Sequence, residues 1–192
     1  MSSERQDTIR KLLTALEDHH PGEMRHAERV AVVAVATANE LGLDDSTLER
    51  VHSSSMLHDV GKLSLNADLL QSTGLLTRED REQLETHVDA IQFLNIDHAW
   101  MEGVPRIIRS HHERWDGTGY PNQLKGEDIP IEARLIAVAE VYDTLAYGAI
   151  WKEPIGEDAA AAEIEKGSGT WFDPSIVEAF QRVRHLIQPV NV

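Results

Sequence analysis

The sequence predicts an all-α fold, a single-domain helical bundle with a metal centre in its core, and three observations lead there. Apolar residues recur at the 3.6-residue period of a helix through most of the chain. No stretch alternates with period 2 between hairpin turns. Histidines and carboxylates recur at intervals of 24 to 32 residues, each about one helix plus one loop. The length of 192 residues is that of one domain with a complete core, so residues 1–192 are read as a single unit.

Ile9, Leu12, Leu13 and Leu16 mark a first helix over about 3–18, capped by Ser2 or Ser3 and read as an element appended to the bundle. The Val- and Ala-rich segment 26–41 has strand-like composition, but its length and the stop at Gly42 favour a buried helix. Asp44 or Asp45 caps a third helix that is expected to run to about Asp59, with Leu48, Val51, Ser55 and Leu57 on it and Gly61 ending it. Further helices are expected over about 78–94, 97–112, 130–147, 157–166 and 174–187, with Thr77, Pro130 and Asp173 as start signals. The polar, glycine-bearing loop Glu113 to Ile129 interrupts this rhythm, and a long irregular loop inside a compact domain is usually functional.

Composition removes several kinds of chemistry. With no cysteine there is no disulfide framework, no Cys-ligated zinc and no thiol nucleophile, so any metal must be held by His and carboxylates. A formal charge of −15 repels phosphate at long range and argues against duplex nucleic acid or an anionic membrane as partner. The N-terminal residues contain no uninterrupted apolar run of the signal-peptide kind, and the longest apolar stretch, Val30 to Ala38, is far shorter than a membrane span. A cytoplasmic protein is expected.

Five positions stand out as ligand candidates: His26, the pair His58–Asp59, His87, the pair His111–His112, and Glu140. Neighbouring helices of a bundle can each aim one such side chain at a common centre, and a carboxylate such as Asp59 can bridge two ions. Adjacent helical residues diverge by about 100°, so each pair approaches a two-ion cluster from two directions. Isolated helical histidines are more often surface or hydrogen-bonded core residues, and His19, His20, His52, His98 and His185 are assigned that role.

The segment MLHDVGK, Met56 to Lys62, resembles the signature of HD-domain metal-dependent phosphohydrolases, and HHERWDGTGYP, His111 to Pro121, is similar nearly letter for letter to the longer signature of the HD-GYP subfamily. Similarity extends from about His20 through GLLTREDREQLETH and IPIEARLIAVAEVYDTL to GTWFDPSIVEAF. The resemblance implies an all-helical phosphodiesterase that hydrolyses cyclic di-GMP to a linear dinucleotide or GMP by attack of a hydroxide held between metal ions. Carried over residue by residue, it implies that His26, His58, Asp59, His87, His111 and His112 are metal ligands, with Asp59 as the bridge and also part of the catalytic set. Lys62 is the residue expected to meet the scissile phosphate. Asp116, Gly117, Gly119, Tyr120 and Pro121 belong to the loop that borders the site and is associated with protein contacts, here a diguanylate cyclase-domain protein.

Three departures bear on function. Glu140 stands where the family usually has Asp, ahead of Val-Tyr-Asp with its supporting Asp143. The glutamate that adds a third ion in some members corresponds to Gly22, with Glu23 displaced by one position, so two divalent ions are expected. Iron or manganese suits this mixed ligand set best, with zinc or nickel as alternatives. The Arg-Pro-Tyr-Arg-like run that helps hold substrate is replaced by Tyr147 to Lys152, leaving Ala149 without a guanidinium and Lys152 as one charge. The alternatives to cyclic di-GMP hydrolysis are action on another cyclic dinucleotide or phosphoester, and a weakly active regulatory domain that binds a nucleotide or a partner.

Overall fold

α1 (Ser3–His19) turns Ile9, Leu13 and Leu16 inward, the stripe that the 3.6-residue period marks. The computed structural model describes residues 3–91 and 98–187. Ser2, one of the two expected caps of α1, lies outside them, as does the junction of the helices expected over 78–94 and 97–112. α2 (Glu23–Glu40) and α8 (Ile131–Tyr147) are the central helices, and α8 buries ten of its 17 residues. Around them pack α9 (Glu157–Lys166) and α10 (Pro174–Val183), closing a core in which Val30, Ile136, Ile164 and Phe180 are fully buried. Truncating a residue such as Phe180 to Ala in such a core costs about 3–5 kcal/mol. A second apolar cluster joins Ile9 and Leu13 of α1 to Leu57 of α3 (Asp45–Leu57) and Ile108 of α7 (Val104–Arg109), with Ala27 of α2 between.

The start signals read in sequence cap these helices. Asp44 accepts from the Thr47 N–H at 2.9 Å, Thr77 and Asp80 form a reciprocal capping box, and Asp173 accepts from the Ser175 N–H at 2.8 Å. Four expected helices are shorter than the periodicity suggests, the last of them α10, which stops at Val183 and continues as a 3-10 turn, Arg184–Leu186. α3 stops at Leu57 and continues as a 3-10 turn, Val60–Ser64. The pattern from Arg78 gives α5 (Arg78–Glu85) and one further turn, α6 (His87–Ala90). The pattern toward His112 gives a 3-10 turn, Ala99–Met101, and the short α7, entered through Gly103 with φ +80°. A short helix, α4 (Ala67–Leu70), stands between Gly61 and Thr77, where no helix is expected from the sequence. There are no strands among the described residues, only isolated bridges Ala149–Lys152 and Ser168–Phe172, and no described helix is long and apolar enough to cross a membrane.

Candidate metal centre

Three of the candidate histidines sit one or two residues beyond a helix end: His58 after α3, His87 after α5 and His111 after α7. The last carbonyls of a helix lack intrahelical partners, and each ring takes one of them. His58 Nδ1 donates to the Ser55 carbonyl at 2.7 Å, His87 Nδ1 to Leu84 at 2.7 Å and His111 Nδ1 to Ile108 at 2.5 Å. A carbonyl only accepts, so each Nδ1 carries a proton and each Nε2 faces inward, the atom that a neutral ring would offer to an ion. All three Nε2 atoms are buried and make no hydrogen bond. Such orphaned polar atoms are costly unless something else meets them.

Two of them, with the Nε2 of His26, face Asp59. Its Oδ2 lies 3.3 Å from His58 Nε2 and 4.0 Å from His26 Nε2, while its Oδ1 lies 3.3 Å from His87 Nε2. One carboxylate oxygen thus faces each of two groups with metal-ligand geometry, His26–His58–Asp59 and His87–His111–His112, within each of which the donor atoms lie within 4.8 Å of one another. Glu140 reaches toward the second group, its Oε2 3.9 Å from both His111 Nε2 and His112 Nδ1. Mixed imidazole and carboxylate donors, gathered in two adjoining groups, fit divalent metal.

Positioning residues complete the arrangement. His26 lies within α2 and has no helix end to bond, and its Nδ1 donates to Asp143 Oδ2 at 2.7 Å. Arg29, one turn on, clamps the same carboxylate from Nε at 2.6 Å and Nη2 at 2.8 Å. His112 stacks on Tyr120 with ring centroids 4.8 Å apart. Two glycines permit this packing: a Cβ on Gly61 would stand 1.9 Å from the His87 carbonyl oxygen, and one on Gly119 would stand 2.3 Å from the Arg114 nitrogen. The Tyr120 N–H then donates to the His112 carbonyl at 3.2 Å.

Lys62 Nζ is 2.6 Å from Asp59 Oδ2 and 2.9 Å from Glu23 Oε1. Burial alone pushes the Asp59 carboxyl up, but Lys62 and His58 hold it well below the usual carboxylate range. Burial lowers the Lys62 ammonium, and Asp59 and Glu23 more than reverse that. Burial likewise pushes His58 down, and Asp59 raises it to about 9. Burial, with the neighbouring imidazoles, drives His111 well down and takes His112 to about 4. Those two rings keep their lone pairs.

Several site residues were not singled out in the sequence. Glu23, read as displaced, turns in and is buried beside Lys62, and His20, read as an ordinary helical histidine, bonds it at 2.6 Å. Arg29 was legible in principle, because it follows His26 by three residues and so shares its helix face. Of the loop residues, Tyr120 borders one of the cavities beside the centre, whereas Asp116 caps the turn through the Thr118 N–H at 2.9 Å. Gly117, with φ +84°, and Pro121, after the cis Tyr120–Pro121 peptide, also lie in the turn and are not among the residues lining either cavity. Lys152 is likewise absent from both linings, and its neighbour Trp151 is present in both.

Residues 11–176 match the HD-domain family. The chain belongs to the HD-domain family. Among curated relatives, the chain is 33% identical over 174 residues to the 3'3'-cGAMP-specific phosphodiesterase 2 of Vibrio cholerae, covering 90% of this chain and 33% of that protein. It is 33% identical over 186 residues to a cyclic di-GMP phosphodiesterase response regulator of Xanthomonas campestris pv. campestris, covering 96% of this chain and 49% of that protein. The chain therefore spans a third to a half of the length of these HD-domain relatives. The crystal structure of a cyclic GMP-AMP-specific phosphodiesterase from V. cholerae superposes with a TM-score of 0.65 at 23% identity, over 93% of this chain and 48% of that one, a likeness of fold.

Proposed function

We propose that this HD domain is a metal-dependent phosphodiesterase that hydrolyses a cyclic dinucleotide, cyclic di-GMP in the first instance. The observation that carries the reading is the convergence of three buried, unpartnered Nε2 atoms and both oxygens of Asp59 on two adjoining points. His26, His58 and Asp59 would hold one divalent ion, and His87, His111 and His112, with Glu140 beside them, the other. Iron or manganese suits these donors, with zinc or nickel as alternatives. Two such ions lower the pKa of water toward neutrality and neutralise charge on a phosphodiester.

The chain's own residues do the rest. Asp59 presents one oxygen to each group of histidines, so that nucleophile and phosphate share one centre. Lys62, kept charged by Asp59 and Glu23, is the nearest cation for a non-bridging phosphate oxygen. Asp143 and Arg29 fix the ring of His26, and Tyr120 covers His112 and narrows the approach from solvent. The relatives' names support a cyclic dinucleotide as substrate and leave cyclic di-GMP and 3'3'-cGAMP as the pair to compare. The reading extends to a contact with a diguanylate cyclase-domain protein through loop 113–129, where Thr118 and the neighbouring Trp171 are exposed.

Elemental analysis of protein purified without chelator, followed by turnover of cyclic di-GMP with iron or manganese, tests this. About two ions per chain and release of a linear dinucleotide or GMP are expected. Metal-free protein that stays inert after reconstitution would overturn the reading.

A further inference from the structure

Two cavities flank the centre and share His20, Asp59, Lys62, Glu140 and Trp151. The larger, about 670 Å³, runs along Leu65, Leu69, Leu70 and Leu84 to Tyr120. The smaller, about 450 Å³, lies between the start of α2, with Arg25 and Arg29, and the turn Gly148 to Trp151. Both are in the size range of small-molecule sites. A cyclic dinucleotide carries two phosphates across one ring, so when one meets Asp59 and Lys62 the other projects toward one of these cavities.

Each cavity offers a cation: Arg81 lines the larger, whose walls are mostly leucine, while Arg25 and Arg29 line the smaller, which also holds His26 of the centre. Arg29 is already committed, to Asp143 at 2.6 and 2.8 Å and to the face of Tyr147 at 4.8 Å. Arg25 lies four residues earlier on the same stripe of α2, is exposed, and has no hydrogen bond or ion pair among the described residues. The opposite wall carries Ala149, at the position where the resemblance puts an arginine. The adjoining Trp151 is 67% exposed at the tip of a turn closed by reciprocal backbone bonds of 2.9 Å between Ala149 and Lys152. An indole held in the open at the mouth of two cavities presents a stacking face, and base stacking on such rings tolerates any base.

We propose that Arg25 binds the non-reacting phosphate of the cyclic dinucleotide while Trp151 stacks on one of its bases, the guanidinium having passed from one wall of the cavity to the other. The assignment rests on the phosphodiesterase reading above. Because Arg25 is one residue from His26 yet on a neighbouring face, it acts on substrate affinity and not on the centre.

Steady-state kinetics of the manganese-loaded protein, with cyclic di-GMP and with bis(p-nitrophenyl) phosphate, separate the two claims. Arg25→Ala should raise the KM for cyclic di-GMP by about 10- to 100-fold, the value of a lost charge-assisted phosphate contact. The loss on the small diester, which has no second phosphate, should be at least tenfold less. Ala149→Arg in the Arg25→Ala background should recover part of the KM, and Trp151→Ala should raise it without changing which substrate is cut faster per bound ion. Equal losses on both substrates, or an unmoved KM for cyclic di-GMP, would overturn the assignment while leaving the phosphodiesterase intact. Wild-type protein that cleaves neither substrate would overturn the underlying reading and this assignment with it.

Discussion

His58, His87 and His111 are oriented by their own helices, whereas His26 is oriented by a residue distant in sequence and His112 by the loop that follows it. The first three each bond a carbonyl three residues back, at the end of the helix that carries them. His26 depends on Asp143, 117 residues away, and His112 on the ring of Tyr120. A ring held by its own backbone is placed as soon as the helix forms. One held by another helix is placed only when α2 and α8 have docked. The difference teaches where the centre is robust and where it can be tuned by a single side chain.

The sharpest way to break the comparison is Asp59, which belongs to both groups. Asp59→Ala should reduce bound metal from about two ions per chain to near none by elemental analysis, with the helical circular dichroism retained. Retention of both ions would show that Asp59 does not join the groups.

Asp143→Asn comes next, because it keeps the shape but weakens the anchor of His26 alone. Loss of such a supporting partner typically costs 10- to 100-fold in metal affinity. Competition with a chromophoric chelator should therefore show one weakened ion and one unchanged. Equal weakening of both would mean that the two groups are not separable.

Glu140→Asp sharpens the comparison with a smaller effect. Shortening the carboxylate by one methylene gives the residue usual in the resembling family, so turnover should hold level or rise. Loss of the second ion in this variant would show that the His111–His112 side is built around the longer acid.

The smallest effect lies far from the metal. Asp44 caps α3, and its hydrogen bonds to Ser46 and Thr47 lower its pKa from 3.8 to about 2. A depressed folded-state value means that the cap stabilises above the ordinary carboxylate range and loses that contribution as pH falls toward about 2. Asp44→Ala should lower the Tm at neutral pH, and the gap from wild type should close between pH 4 and 2 on thermal melts. A constant gap would assign the effect to something other than the charged cap.

This contrast also explains what could be read from the sequence. The start signals at Asp44, Thr77 and Asp173 were legible because a cap is a local event. The ends at Tyr147 and Lys166 were legible too, but those before His58, His87 and His111 were not, because the apolar period runs on through these residues while each ring takes a carbonyl at the end of its helix. The spacing of the ligand candidates was legible for the same reason as the helices. Glu23 and His20 were missed because Gly22, with φ +99°, turns the chain so that a carboxylate one position out of register still reaches Lys62. That reach depends on tertiary geometry, which spacing alone does not encode.

The account rests on two ions joined by Asp59, and anomalous diffraction from crystals grown with manganese tests it most directly. Two peaks per chain are predicted, one among His26, His58 and Asp59 and the other among His87, His111 and His112, with Asp59 touching both. A single peak, or a third one held by Glu23 and His20, would contradict it.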